Sequence, residues 1–293
     1  MIFGDNKGRF PHCHSYLSIN DEEITIFDPQ CGISLLNNGL KILQKSWKDI
    51  KYIINTHFHA DHTASNGFIK EKNPDVQIMI HKDDAEAMKS SKEYFRHYGL
   101  DNQVNIQYKS IFNNIGYQEI IPNNTFKDGD LLPGDFKVIH SPGHTPGHSC
   151  FYRSNVLISG DMDCTIPWFG NVTSDVDNFL NSVNKIMKLN IDSFLPGHGK
   201  PMFESDRIQS ELGIYREKLF ETELKILNLI NGSLQLEEII NRRNQGKSLP
   251  FWRQSPLMEL FRKYETLNYL IHLQETGRIS RVKKEGLILW VKK

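Results

Sequence analysis

Three observations predict an α/β fold for this chain. Short β-rich runs alternate with longer helical patterns as far as about residue 200, and turn residues cluster where the β-rich runs stop. The texture then changes to long helices closed by a hairpin, which predicts a second, smaller unit, with residues 1–203 forming one domain and 204–293 the other. The 293 residues carry 35 Lys+Arg against 35 Asp+Glu and are 39% hydrophobic, values that exclude collagen-like, disordered and disulfide-scaffold chains.

The first strands are expected at Ser15–Asn20 and Ile24–Phe27, where β-branched and aromatic residues dominate, and a helix at Ser34–Ser46 follows. A strand at Tyr52–Asn55, a helix at Ala64–Glu71, a strand at Val76–Ile80 and a helix at Lys82–Ser90 continue the alternation. Strands at Phe136–His140, Ser149–Tyr152, Val156–Ser159 and Ser193–Leu195 come next, with a helix at Asp175–Lys188 whose Val176, Phe179, Leu180, Val183 and Ile186 recur at helical spacing. Beyond Glu204, helices are predicted at Ser205–Ile230, Leu236–Arg243 and Leu257–Glu275, with a Pro-containing loop before the last. The strands Arg278–Val282 and Leu287–Val291 complete a winged-helix pattern. Residues 231–293 hold twelve Lys/Arg and six Asp/Glu, an excess that fits a solvated face as well as a phosphate-binding one.

The N-terminus lacks a charged-then-apolar leader, and no run of eighteen apolar residues occurs, so a cytoplasmic, membrane-free protein is expected. Cys13, Cys31, Cys150 and Cys164 are scattered without a C-x-x-C pair and read as reduced, mostly buried thiols.

The chemistry concentrates in Thr56-His57-Phe58-His59-Ala60-Asp61-His62-Thr63, directly after the apolar Tyr52-Ile53-Ile54. Residues two apart on an extended chain point the same way, so His57 and His59 can present imidazoles to one metal, and Asp61 and His62 reach a second point as the chain turns. Burying four such groups without partners would be costly, which favours metal over packing. His144 lies in Ser141-Pro142-Gly143-His144-Thr145-Pro146-Gly147-His148, Asp161 follows a strand through Gly160, and His198 lies in Pro196-Gly197-His198-Gly199. Each stands where a strand ends, so all can converge on one edge of the fold.

This order, H-x-H-x-D-H, then G-H-T-x-G-H, then G-D, then G-H-G, resembles the metallo-β-lactamase superfamily over about residues 10–203. The resemblance implies a four-layered αββα sandwich with a two-metal site at one end and a small C-terminal helical, winged-helix-like domain. It implies His57, His59 and His144 on one metal, Asp61, His62 and His198 on the other, and Asp161 and a hydroxide bridging them. Two Zn²⁺ are expected, with Fe or Mn suited by the same ligands, and Asp61 is the expected catalytic residue, orienting the attacking hydroxide. Class B β-lactamases usually carry Cys where this chain has Asp161, which argues against penicillin hydrolysis, and flavodiiron proteins carry Glu at the place of His59. The motifs are nearest to glyoxalase II-like hydrolases, persulfide dioxygenases and certain ribonucleases. The tail is similar to that of the β-lactamase-like protein 2 group and has no matching glutathione-binding cluster.

The expected function is therefore dinuclear hydrolysis of a small-molecule ester or thioester, or of a phosphodiester. Single-stranded nucleic acid is the alternative partner, a mononuclear-iron dioxygenase the alternative chemistry, and a homodimer the expected assembly. His148 is expected to hydrogen-bond within its loop, and Asp163 and Cys164 to support the site. Phe58, Trp168 and Phe169 line the substrate mouth or pack in the core, and His12 and His14 reach the site from the first strand or hold a second metal. His81, His97, His140 and His272 receive no role.

Overall fold

The computed structural model describes residues 1–20, 23–100, 113–245 and 256–293. The Pro-containing loop expected before the last helix lies outside the described residues. Two five-stranded sheets make the centre of the fold. The first runs in the order β1 (Tyr16–Asn20), β2 (Glu23–Phe27), β3 (Ile50–Ile54), β4 (Gln77–His81), β5 (Asn124–Phe126), with β1 antiparallel to β2 and the rest parallel. The second contains β6 (Leu131–Leu132), β7 (Phe136–His140), β8 (Ser149–Arg153), β9 (Val156–Gly160) and β10 (Ser193–Pro196) in spatial order 10-9-8-7-6, and only β9–β10 is parallel.

The period of two along each strand divides the apolar residues between layers. Phe27, Ile54, Val138, Phe151 and Ile158 turn inward and form the core between the sheets. Their neighbours Ile26 and Ile53 face the helices over the first sheet, and Ile139 and Leu157 those over the second. Phe27 meets Phe136 and Phe151 with ring centroids 4.8 and 5.2 Å apart, so three aromatic rings tie sheet to sheet. The helix Ile33–Ile42 covers one outer face and Val176–Ile186 the other, giving the αββα layering.

The Val176–Ile186 helix starts at Asp175, whose carboxylate accepts the Asn178 N–H at 2.8 Å. Asp175→Ala is expected to lower stability by about 1 kcal/mol in denaturant titration, the usual effect of losing an N-cap side chain.

After residue 204 come the helices Ser205–Leu229, Leu236–Asn244 and Pro256–Glu275 and a small sheet with β13 (Leu287–Lys292) between β11 (Ser233–Leu234) and β12 (Ile279–Lys284). Ile208, Leu212, Tyr215 and Leu219 recur every three or four residues on the buried side of the first of these helices. They share one core with Phe179 of the sandwich and with Tyr269 and Trp290 of the tail, so the two parts of the chain pack continuously. Among the described residues no helix is long and apolar enough to cross a membrane. All four cysteines are free thiols, three of them buried.

The helix expected at Lys82–Ser90 is shorter, Ala85–Lys89, and Ser90 instead caps a second helix, Ser91–His97, by accepting the Glu93 N–H. The strands β5, β6 and β11 were not expected; at two or three residues each they are too short to show a period.

Candidate metal centre

Four strand ends deliver the polar residues to one edge of the sandwich. β3 stops at Ile54 and the chain passes through Asn55 and Thr56 to His57, Phe58 and His59, then coils at Ala60–Thr63. His144 follows β7, Asp161 follows β9 and His198 follows β10. Gly160 turns the chain at φ +52°, and a Cβ there would lie 2.8 Å from both His148 and Thr56, so the turn into Asp161 needs glycine.

All seven residues singled out in the sequence come together, in two sets that share one carboxylate. Asp161 Oδ2 lies 3.1 Å from His144 Nε2 and 4.0 Å from His57 Nε2, and His59 Nδ1 is 3.0 Å from His144 Nε2. Asp161 Oδ1 lies 2.8 Å from His62 Nε2 and 3.4 Å from His198 Nε2, and Asp61 Oδ2 is 3.4 Å from His198 Nε2. His62 Nε2 and His198 Nε2 stand 3.2 Å apart.

These spacings suit cations. Donors arranged tetrahedrally at ~2.0–2.1 Å from a zinc ion are about 3.3 Å from one another. The buried His57 Nε2 makes no hydrogen bond, although such groups are normally satisfied. It faces the space between the imidazoles, where a cation would complete it. The donor set of neutral imidazoles and carboxylates therefore fits divalent metals.

The outward nitrogens explain why the inward ones are free to bind. Asp28, at the end of β2, accepts the Thr56 N–H (2.8 Å), the Thr56 hydroxyl (2.7 Å) and His62 Nδ1–H (2.9 Å). Since the Thr56 hydroxyl proton goes to Asp28, its oxygen accepts from His57 Nδ1–H at 3.0 Å. His144 Nδ1 donates to the Trp168 carbonyl at 3.2 Å and His198 Nδ1 to the Gly8 carbonyl at 2.5 Å. In all four rings the outer nitrogen holds a proton on its own partner, so the inner Nε2 is the position a cation can take. For His59 the partner is the Asn171 amide, 2.7 Å from Nε2. Asn171 Oδ1 has no partner, and turning the amide by 180° lets it accept the Nε2–H and leaves Nδ1 as the inward donor.

Burial and the crowd of neighbouring imidazoles hold His57 and His59 well below the ordinary imidazole range. Burial opposes charge on His62 and His198 too, but the Asp161 carboxylate, joined by Asp28 beside His62 and by Asp61 beside His198, outweighs it, raising His62 well above its usual value and His198 to about 9. Burial likewise opposes ionisation of Asp161, yet His62, His198 and His144 around it keep it well below the usual carboxylate range. The centre thus keeps the Asp161 carboxylate charged, with His57 and His59 uncharged on one side of it and His62 and His198 favouring positive charge on the other.

His148 holds Asp161 in place. Its Nδ1 donates to the Ser141 carbonyl at 3.0 Å and its Nε2 accepts the Asp161 N–H at 3.2 Å. Asp163 binds the hydroxyl and N–H of Thr165, which braces the loop beside Asp161. Of the two places expected for Phe58, mouth or core, it takes the core, fully buried against Tyr94, His97 and Tyr98. With His57 and His59 facing the site, the residue between them faces the core. Phe169 is buried as well, against Phe179 and Tyr269. Only Trp168 of the three lines the cavity. Among the described residues His12 and His14 belong to no metal-binding cluster: His14 Nδ1 accepts the Gly4 N–H, its Nε2 donates to the Gly199 carbonyl, and Cys13 Sγ between them points to the Asp28 carbonyl.

Sequence reasoning missed Asp28, Asn171 and Asp84. Asp28 and Asp84 each sit just past a strand end, the position that marked the other site residues, but alone in their segments. Burial pushes Asp84 up to about 6. Its carboxylate accepts the Gly147 N–H (2.6 Å), the Thr145 hydroxyl (2.7 Å) and the Phe58 N–H (3.2 Å), tying the His144 loop to the His57–His59 segment. Asp84→Asn is expected to lower stability by about 1–3 kcal/mol in chemical denaturation, because one carboxylate acceptor becomes an amide donor facing buried donors. A variant as stable as the parent would mean that these bonds contribute nothing net.

The tail reaches this centre. Asn268 Nδ2 donates to the carbonyls of Phe169 and Asn171 at 2.9 and 2.8 Å, and Phe261 meets Trp168 with ring centroids 5.2 Å apart. A cavity of about 550 Å³ opens over Asp61, His144, Asp161 and His198. Outside it, His81 and His140 stack face to face at 4.0 Å with Asp83 nearby, so their in-plane lone pairs lie in nearly parallel planes instead of converging.

Comparison with known proteins matches residues 8–198 to the model of the metallo-beta-lactamase superfamily. A "probable metallo-hydrolase" of Methanocaldococcus jannaschii is 32% identical over 198 residues, 64% of this chain and 87% of the relative. The lactamase-like protein aptB of Emericella nidulans is 25% identical over 204 residues, 68% of this chain, and this chain spans only 55% of its length. An atrochrysone carboxyl ACP thioesterase of Passalora fulva is 24% identical over 210 residues, 68% of this chain and 52% of the relative. The crystal structure of a metallo-beta-lactamase family protein from Thermus thermophilus superposes with a TM-score of 0.69 at 20% identity, covering 96% of this chain and 94% of the other.

Proposed function

Because the chain belongs to the metallo-β-lactamase superfamily, we propose that it is a dinuclear metal-dependent hydrolase of ester or thioester substrates. In this reading His57, His59 and His144 hold one cation, Asp61, His62 and His198 the other, and Asp161 bridges them. Zinc is the metal we assign, and iron or manganese suits the same donors. The observation that carries the reading is the division of Asp161, one oxygen turned to each imidazole set.

Divalent cations bound by these residues would bring the pKa of a coordinated water near ~7 and would polarise the scissile bond. The chain's own groups do the rest. Asp61, with Oδ2 beside His198, orients the attacking hydroxide by accepting a hydrogen bond from it. Trp168 contributes an apolar wall at the mouth and thereby limits water to the reacting side. The thioesterase relative supports a sulfur leaving group. Residues 204–293 act in this proposal as a winged-helix-like domain that fixes the wall through Phe261 and Asn268.

The test is to strip the purified protein with a chelator, add back Zn²⁺, Mn²⁺ or Fe²⁺, and assay ester, thioester and phosphodiester probes. Hydrolysis of the ester or thioester is expected to vanish on stripping and return with metal. Hydrolysis that survives stripping overturns the mechanism, and cleavage of the phosphodiester alone overturns the substrate class.

A further inference from the structure

The mouth of the cavity is built from two loops, and both bring cations to it. Lys7 and Arg9 come from the N-terminal segment, and Lys200 follows His198 by two residues; all three line the cavity and are exposed. None of the three side chains has an ion pair or hydrogen bond among the described residues. The carboxylates of the same cavity are already engaged. Asp61 and Asp161 face the imidazoles, and Asp163 is bound by Thr165.

The backbone that carries Lys7 and Arg9 is held in an unfavourable form. Asn6, Lys7 and Gly8 are all left-handed, with φ of 51°, 59° and 64°. Such a conformation costs a lysine energy and persists only where surrounding contacts impose it, typically at ligand-binding places. Those contacts are here: the Gly8 carbonyl accepts from His198, the Gly4 N–H donates to His14, and His14 donates in turn to the Gly199 carbonyl. A Cβ on Gly8 would fall 2.3 Å from the His14 ring, so His14 and glycine lock together. His14 and His198 thus strap the turn against the loop that bears Lys200. The three cations bracket His198 while Ile166 and Trp168 offer apolar surface in the same cavity.

We propose that Lys7, Arg9 and Lys200 form an anion-binding rim, selecting esters or thioesters that carry a carboxylate or phosphate group away from the scissile bond. The inference rests on the hydrolase reading above and names the substrate class of that site. Three unpaired cations beside a cavity attract an anion at long range and hold it at short range, an interaction that salt weakens.

The test is calorimetric binding of three free thiols to the metal-loaded protein at low and high salt: coenzyme A, glutathione and N-acetylcysteamine. All three share the thiol, so differences report the appended charge. The anionic thiols are expected to bind at least tenfold more tightly than neutral N-acetylcysteamine, and the preference is expected to fall with salt and disappear in the Lys7→Gln/Arg9→Gln/Lys200→Gln variant. Tighter binding of coenzyme A identifies phosphate as the anion, and of glutathione, carboxylate. Equal binding of all three, or a preference that survives the triple substitution, overturns the rim. Loss of the hydrolase reading is seen separately, as a metal-loaded protein that cleaves no ester or thioester yet keeps the anion preference.

Discussion

Asp161→Ala is expected to lower metal content and hydrolysis together, with the rate falling by at least about two to three orders of magnitude, the scale of removing one preorganised electrostatic group. The reason is geometric. Asp161 turns one carboxylate oxygen to each imidazole set, with Oδ2 3.1 Å from His144 Nε2 and Oδ1 2.8 Å from His62 Nε2. Alanine leaves five imidazoles in a buried pocket with Asp61 as the one carboxylate of the seven residues, so cation charge there is less compensated. Metal per chain, measured by plasma emission on dialysed protein, is expected to drop from two to one or fewer. Circular dichroism checks that the sandwich is intact, and Asp161→Asn provides a second variant that keeps the side-chain volume. Two metals retained in both variants would remove Asp161 from its bridging place.

The residues that made this centre visible in the sequence are those that repeat a strand-end pattern. His57 and His59 are two apart after β3, Asp61 and His62 come next in the same segment, and His144, Asp161 and His198 each follow a β run and a glycine. The strands were legible as short β-rich runs because both faces are apolar: Phe27, Ile54 and Ile158 face the other sheet while Ile26, Ile53 and Leu157 face helices. The period of two applied to His57-Phe58-His59 decides for Phe58 between the mouth and the core, and places it in the core. The Ser91–His97 helix also had a signal, since Ser90 and Glu93 have the spacing of a capping pair.

What was not legible depends on contacts across the fold. Asn171 lies in an aperiodic loop, and its approach to His59 is set by Asn268, 97 residues further on. Lys7 and Arg9 stand 191 or more residues before Lys200 in sequence, and only the straps from His14 and His198 bring the segments together. The left-handed turn that carries them has no composition signal apart from Gly8.

Asp28 tests whether proton placement, rather than charge alone, prepares the centre. The carboxylate accepts from both the Thr56 hydroxyl and His62 Nδ1–H, and thereby fixes two imidazoles, one in each set. In Asp28→Asn the Oδ1 equivalent still accepts the Thr56 N–H, and asparagine tolerates the left-handed backbone of this position, φ 48°. The amide nitrogen then faces the Thr56 hydroxyl and His62 as a donor. His62 is driven to the tautomer with its proton on Nε2, where the metal should be. The Thr56 hydroxyl, no longer donating to residue 28, turns its proton toward His57 Nδ1 and drives that ring the same way. A single atom change therefore disables a donor in each set without touching either metal. Metal affinity, measured by competition with a chromophoric chelator, is expected to fall by about 10–100-fold for each set, the usual scale for losing the group that orients a ligand. Nitrogen-15 spectra of the imidazoles in the metal-free protein read the tautomers directly. Parent-like affinity with the proton still on Nδ1 of both rings would show that Asp28 serves only to hold the backbone of Thr56.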